Sequence, residues 1–129
     1  GFQVGVQRAI PAAREALWEL LTSGPGRRAW LGSVRSPRFE PGTRMKSRAG
    51  LEVEVRTVKP GHRLRLAWRP AGRAADTTLQ LTLSCPRNTR SRTTLRFHHE
   101  KLADEAERED ARVHWRAVLE ELAKLAARA

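Results

Sequence analysis

The chain has 129 residues, of which 40% are hydrophobic, and carries a formal net charge of +11. This length and composition indicate one globular domain over residues 1–129 and exclude a disordered tail. No apolar run approaches the roughly 20 residues that cross a membrane, so no membrane partner is expected. Cys85 is the single cysteine, which excludes an internal disulfide and makes the cytoplasm the expected compartment.

The positive charge is distributed rather than concentrated. Arginines stand mostly singly along the whole chain, with no run of five or more basic residues. A nucleic-acid site normally concentrates its cations on one patch or stripe. The distribution therefore favours a solvated basic surface, and no nucleic-acid partner is expected.

The first third of the chain alternates and then becomes helical. Residues 2–10, FQVGVQRAI, alternate between apolar and polar side chains and predict a half-buried strand. Leucines at helical spacing predict an amphipathic helix over residues 11–22. Gly24-Pro25-Gly26 is expected to end that helix. Residues 27–31 then make little more than one helical turn, which must be held by the packing of Trp30 and Leu31.

From about residue 43 the apolar period changes to two, which predicts consecutive strands. Clean alternation of this kind is typical of an antiparallel sheet with one covered and one wet face. Short turns are expected at residues 59–61, at Ala71-Gly72 and at residues 86–89 around Asn88. The alternating segments are GLEVEVRTV (50–58), HRLRLAWRP (62–70), TTLQLTLSC (77–85) and RTTLRFHH (92–99), with TRMKSRAG (43–50) as a weaker strand.

The C-terminal segment predicts one long helix of roughly 22 residues, about 33 Å in length. Asp104 followed by Glu107 fits a capping box at its start. An apolar stripe at helical spacing follows, with charges on the remaining face. The stripe consists of Ala111, Trp115, Val118, Leu119, Leu122 and Leu125. Short connections exclude parallel strand–helix–strand units, so the fold class is α+β.

The order of these elements, and several local sequences, resemble the helix-grip superfamily of START lipid-transfer domains, polyketide cyclases and birch-pollen-type allergens. Within it, the chain is most similar to bacterial relatives of the C-terminal domain of the heat-shock-protein-90 ATPase activator. The segments that carry the resemblance are IPAAREALWELLTS (10–23), AWLGS (29–33), FEPGTRM (39–45), HRLRLAWR (62–69), TTLQLTL (77–83) and HWRAVLEELAKL (114–125).

This resemblance implies a curved antiparallel sheet of about six strands wrapped around the long C-terminal helix. The two early helices would plug one end of the gap between sheet and helix. Trp18 would anchor the first plug in the core, and Trp30 would lie near the mouth of a cavity.

Side chains on the inward phase of the strands and helix form the predicted binding site. Its lining is apolar, which suits a hydrophobic ligand, although these side chains equally allow a filled core. Arg8 and Arg44 are expected to orient an anionic end group of the ligand. The apolar members are Trp30, Leu31, Met45, Val53, Val55, Leu66, Trp68, Leu79, Leu81, Leu95, Phe97, Trp115, Leu119 and Leu122.

The remaining polar residues indicate little chemistry. His98 and His99 are adjacent in a strand, so they face opposite sides, and the histidines are expected at the surface or rim. No spacing fits a metal triad or a cofactor motif, so no metal or cofactor is expected. Cys85 is expected to be a small buried residue. Glu52 and Glu54 are expected to pair across strands with Arg63, Arg65 and Arg69, at about 0.2–1 kcal/mol each.

Three functions follow as hypotheses. The first is non-enzymatic binding of a small hydrophobic or amphipathic ligand between sheet and helix by a monomer or weak dimer. The second, implied by the resemblance, is stimulation of a chaperone ATPase in a bacterial stress response. The third is a cyclase or hydratase, which requires at least two polar side chains converging in the cavity, and the inward phases offer almost none.

Overall fold

Six antiparallel strands, two short helices and a long C-terminal helix make up the fold, in a computed structural model that describes residues 1–86 and 89–129. The sheet order is β1-β6-β5-β4-β3-β2. The α+β helix-grip class is thus confirmed, while the predicted turn around Asn88 includes residues outside the described part. In chain order the elements are β1 (Phe2–Ile10), α1 (Arg14–Thr22), α2 (Gly24–Leu31), β2 (Arg44–Lys46), β3 (Glu52–Lys59), β4 (Arg63–Arg69), β5 (Thr77–Ser84), β6 (Thr93–Leu102) and α3 (Glu105–Arg128).

The core lies between the inner face of the sheet and the apolar stripe of α3. Strand alternation buries every second side chain, as in β5, where Leu79, Leu81 and Leu83 are all buried. On α3 the stripe from Ala111 to Leu122 is buried against β1, β6 and α2. Full burial of one such side chain stabilises the fold by about 1.5–3 kcal/mol, so this interface dominates the stability.

A side-chain cap fixes the start of α3. The backbone N–H of Glu107 donates to Asp104 Oδ1 at 2.8 Å. In return, the Glu107 carboxylate accepts from the backbone N–H of Ala103 at 2.9 Å. The predicted capping box is confirmed, with the return bond one residue earlier than usual. The helix has 24 residues, close to the predicted length of roughly 22.

The Gly24-Pro25-Gly26 segment begins α2 rather than only ending α1. Gly24 has a φ of +48°, which reverses the chain between the helices. Pro25 lies in the first turn of α2, where its missing N–H costs nothing. A Cβ on Gly26 would lie 2.0 Å from the carbonyl oxygen of Leu20, so only glycine permits this approach of the two helices. The prediction of a helix limited to residues 27–31 was wrong.

The early tryptophans have different roles from those predicted. Leu17 and Leu21 are fully buried and anchor α1, whereas Trp18 is only half-buried against the core. Trp18 faces the edge of the core because it follows Leu17 by about 100° around the helix. Trp30 is buried, and its Nε1–H donates to the carbonyl oxygen of Leu21 at 2.8 Å. This bond ties α2 to the last turn of α1.

Ion pairs cover the outer face of the sheet, in a pattern partly different from that predicted. Glu52 contacts Arg69 across β3 and β4, as predicted. Glu54 stands opposite Ala67 on β4, and its carboxylate therefore contacts Arg44 on β2 at 3.1 Å. Within residues 1–86 and 89–129, neither glutamate contacts the other two predicted arginines, Arg63 and Arg65.

Cys85 is exposed, contrary to prediction, because it follows the last residue of β5 and lies beyond the covered face. Its Sγ lies 3.9 Å from Thr93 Oγ1.

In the described part of the chain, no helix combines the length and apolar character needed to span a bilayer.

Candidate functional site

The middle of the gap between sheet and α3 is filled by side chains. Phe97 on β6 stacks on Trp115 of α3 with ring centroids 4.7 Å apart. Trp68 meets the same indole edge-on at 5.6 Å, and Trp30 stacks on Trp68 at 6.1 Å. Leu119 of α3 is also buried in this cluster. The filled-core alternative therefore applies to the centre of the molecule.

A cavity of about 350 Å³ lies at one end of this gap, beside the first turns of α3. Its floor is formed by Trp68, Thr77, His99 and Trp115, all of which are buried. Its walls are apolar and are formed by Leu51, Leu102 and Ala111. Its rim is formed by Pro70 and by the polar side chains of Arg73, Glu107, Asp110 and His114.

A larger depression of about 470 Å³ lies on the outer face of the sheet, over β2, β3 and β4. Charged side chains line it, among them the ion-paired Arg69, Glu52 and Glu54. Small-molecule sites are usually concave and mostly apolar, with few polar groups. The smaller cavity beside α3 matches that description and is the candidate site.

A chain of hydrogen bonds fixes the polar part of the floor. Trp115 Nε1–H can only donate, and it lies 3.1 Å from His99 Nδ1, so Nδ1 is the acceptor. The proton of neutral His99 is therefore on Nε2, which donates to Thr77 Oγ1 at 2.7 Å. The Thr77 hydroxyl then donates to the carbonyl oxygen of Trp68 at 2.6 Å. The chain links α3, β6, β5 and β4, and both ring nitrogens of His99 are occupied.

Burial keeps this floor uncharged. Desolvation lowers the pKa of His99 to about 4, against the opposing effect of the Glu107 carboxylate. Burial also lowers the pKa of His114 at the rim. Both imidazoles are consequently neutral at pH 7, and neither contributes positive charge to the cavity.

An ion pair between Arg73, in the loop between β4 and β5, and Glu107 of α3 crosses the rim, and we call this pair the latch. Arg73 Nη1 donates to both carboxylate oxygens of Glu107, each at 2.6 Å. Arg73 Nη2 donates to the carbonyl oxygen of Lys101 at 3.1 Å, and Nε donates to that of Ala75 at 3.0 Å. Every guanidinium nitrogen of Arg73 thus has a partner, and one side chain joins the loop, β6 and α3.

The sequence profile of one known family covers most of the chain. Residues 11–127 match the sequence profile described as "Activator of Hsp90 ATPase homolog 1-like protein". The chain belongs to this family. No curated protein sequence matches the chain significantly.

Solved structures share the fold of this Hsp90-activator-homologue family member at low sequence identity. Protein MLL2253 from Mesorhizobium loti is 24% identical, with a TM-score of 0.84, over 99% of this chain and 98% of that one. The Aha1 dimer from Colwellia psychrerythraea is 16% identical, with a TM-score of 0.80, over 98% and 96%. DynU16, from the dynemicin biosynthetic locus, is 23% identical, with a TM-score of 0.82, over 95% of this chain. The chain spans about half of DynU16, 46% of its length, and these likenesses show the fold alone.

Only two of the predicted site residues, Trp68 and Trp115, line the cavity. Trp30 does not reach its mouth, because its indole is held between α1 and Trp68. The remaining apolar members fill the gap as buried core. They are Leu31, Met45, Val53, Val55, Leu66, Leu79, Leu81, Leu95, Phe97, Leu119 and Leu122.

The predicted arginines lie away from the cavity. Arg44 precedes the inward Met45 on β2, so its side chain lies on the opposite, outer face, where it contacts Glu54. The prediction that Arg44 stands near the mouth was wrong. Arg8 is exposed on the edge strand β1 although Val6 and Ile10, in the same phase, are buried.

The sequence analysis missed the polar residues of the site. His99 is buried, which contradicts the expected surface or rim position of the histidines. The alternation of β6 does indicate this burial, since His99 continues the inward phase of Leu95 and Phe97. Thr77 likewise continues the phase of Leu79. No sequence pattern predicts the latch, because Arg73 and Glu107 are 34 residues apart and come into contact only in the folded protein.

The polar groups of the floor and of the Arg73–Glu107 pair are occupied by one another. His99 has no free nitrogen to accept a proton from a ligand, and Glu107 is engaged by Arg73 and by the Ala103 N–H. Across residues 1–86 and 89–129, no histidine lining the cavity hydrogen-bonds to a carboxylate. The same residues contain no cluster of three or more histidine, cysteine or acidic side chains able to hold a metal ion.

Proposed function

We propose that this domain binds a small, largely apolar molecule in the cavity between the sheet and the first turns of α3. The observation that carries the proposal is the cavity itself. Trp68 and Trp115 line the cavity, and the polar atoms of the floor are already satisfied by one another. A ligand therefore gains by removing apolar surface from water, at about 25 cal/mol per Å².

The size of the cavity limits the ligand. A volume of about 350 Å³ is at the low end of the range, about 300–1,000 Å³, for small-molecule sites. Because Phe97 and Leu119 fill the centre of the gap, the cavity does not continue along α3. We therefore propose a compact ring system as ligand, with Trp68 and Trp115 as its contacts, rather than a long acyl chain.

Two substitutions on α3 test the proposal. Ala111 is buried and lines the cavity, so Ala111→Phe should occupy the space a ligand needs. Val113 is 61% exposed two residues further along, so Val113→Phe makes a comparable change toward solvent and is the matched control. The probe is N-phenyl-1-naphthylamine, a neutral dye that fluoresces in apolar surroundings.

We expect the wild-type protein and Val113→Phe to bind the dye and Ala111→Phe to lose at least tenfold in affinity. Thermal melts of both variants show whether they remain folded. Equal affinity of the wild-type protein and a folded Ala111→Phe variant would place the dye elsewhere and contradict the proposal. Failure of the wild-type protein to bind this dye and other compact aromatic compounds would also contradict it.

We propose stimulation of a chaperone ATPase as the second candidate function. The family match over residues 11–127 supports it, because the family is described by that activity in a homologue. The test is the ATPase rate of an Hsp90-class chaperone from the same cell, with and without this protein. An unchanged rate at saturating protein would remove this candidate and leave the binding proposal standing.

A further inference from the structure

We infer that the cavity selects ligands with a positive charge beside their apolar body, a class best described as compact aromatic amines. This inference rests on the proposed binding function. The charge of this ligand class is opposite to that of the anionic end group that Arg8 and Arg44 suggested from the sequence. The inference is based on one negative charge at the rim that has no ion-pair partner.

Arg73, the one cation among the described residues that line the cavity, is not available to a ligand. Arg73 places Nη1 on both oxygens of Glu107, Nη2 on Lys101 and Nε on Ala75. An anionic ligand would have to displace a bidentate carboxylate already held by a charge-assisted pair. It would also leave Glu107 as an unpaired charge facing the ligand.

The opposite holds for Asp110, one turn further along α3. Asp110 lines the cavity and is exposed. In the described part of the chain it makes neither an ion pair nor a hydrogen bond, unlike its neighbour Glu109, which pairs with Arg112. The charges of the rim, Arg73, Glu107 and Asp110, therefore sum to −1.

The other groups around Asp110 do not cancel this charge. His114 lies one turn away on α3 and, because burial lowers its pKa, is neutral at pH 7. Arg108 is held by Glu105 and lies over the ring of Phe2. The net charge of +11 is spread over the whole surface, and at physiological salt it is screened beyond about 8 Å.

Three naphthalene probes of nearly equal size test the inference at pH 7.5 by titration calorimetry. They are 2-(aminomethyl)naphthalene, 2-(hydroxymethyl)naphthalene and 2-naphthoate, which are cationic, neutral and anionic. We expect the amine to bind about two- to fivefold tighter than the alcohol, the gain of an ion pair with an exposed carboxylate. The acid should bind more weakly than the alcohol.

In the variant Asp110→Asn the amine and the alcohol should bind with equal affinity. Glu109→Gln is the matched control, since it removes the same charge one residue away, outside the cavity, and should keep the preference. Equal binding of all three probes, or a preference retained in Asp110→Asn, would overturn the inference while leaving the binding function intact. Absence of binding by any probe would overturn both.

Discussion

The two ends of the same helix show how one architecture produces both a closed core and an open site. Toward the C-terminal half of α3, Leu119 and Leu122 are buried against a continuous apolar cluster. Toward its start, Ala111 presents only a methyl group, and the cavity opens in front of it. Side-chain volume along one helix stripe, rather than sheet curvature alone, therefore decides where a cavity remains between the sheet and α3.

Polar groups follow the same division. The open half holds a connected set of hydrogen-bonding side chains, His99, Thr77 and the Arg73–Glu107 latch. Buried polar groups are costly unless they are paired, and each of these is paired. The open end is thus stabilised by directed bonds and the closed end by packing, and four changes in sequence or pH test that contrast.

The largest effect is expected from Phe97→Ala in the closed half. Phe97 is fully buried and stacks on Trp115, so its removal leaves a cavity that the surrounding side chains cannot fill. We expect a loss of about 3–5 kcal/mol in the free energy of unfolding, measured by urea denaturation. Leu51→Ala, at the half-buried wall of the open end, should cost clearly less. Equal losses would show that the two ends are not packed differently.

A large effect of pH is expected at the boundary of the two halves. His99 has a pKa of about 4 when folded and of about 6.5 when unfolded, so between these values the unfolded chain binds the extra proton. The stability contributed by neutral His99 is complete above pH 6.5 and is lost as the pH falls toward 4, by about 3 kcal/mol in total. His99→Gln should make that slope shallower in denaturation curves taken from pH 7 to pH 4, and His114, whose pKa burial also lowers, should contribute what remains in the same direction. An unchanged slope would show that His99 is not held neutral.

An intermediate effect is expected at the plug formed by α1 and α2. The methyl group introduced by Gly26→Ala would meet the carbonyl oxygen of Leu20, and the two helices must then separate. We expect a loss of about 1–3 kcal/mol, as for other overpacked sites. Gly26 is not among the glycines with a positive φ, so backbone strain of that kind does not account for the loss. A Gly26→Ala variant as stable as the wild type would contradict the close approach of the two helices.

The smallest effect is expected at the rim. Arg73→Ala removes the bidentate bond to Glu107 and should cost about 1 kcal/mol, since the pair is only partly exposed. Arg44→Ala removes a more exposed ion pair on the outer face and should leave the unfolding free energy within about 0.5 kcal/mol of the wild type. Thermal denaturation of both variants measures the difference. If the two variants melt together, the latch contributes no more than an ordinary surface pair.

Much of the fold could be predicted because alternation and helical spacing carry it directly. Leu79, Leu81 and Leu83 indicated their strand and its inward face, and Asp104 with Glu107 indicated the start of α3. The Gly24-Pro25-Gly26 segment was misread, because the same residues that end one helix can begin the next. Its meaning depends on the approach of Leu20, which no local pattern shows.

The site was less predictable for a physical reason. An apolar inward phase looks the same whether its side chains meet or leave a space, so Phe97 and Trp68 gave identical signals. The open end depends on small differences in volume, such as Ala111 on α3, and on a loop that places Arg73. His99 was within reach of the strand phase, whereas its partner Trp115 required the packing of α3 on β6.

The most direct test of an open end beside a closed centre is the set of four indole N–H signals in a ¹⁵N–¹H correlation spectrum. Titration with a neutral compact aromatic compound such as 2-(hydroxymethyl)naphthalene should move the signals of Trp68 and Trp115 and leave that of Trp18 in place. Single Trp→Phe variants assign the four signals. Shifts confined to Trp18 or Trp30, with Trp115 unmoved at saturation, would contradict the location of the cavity and the function built on it.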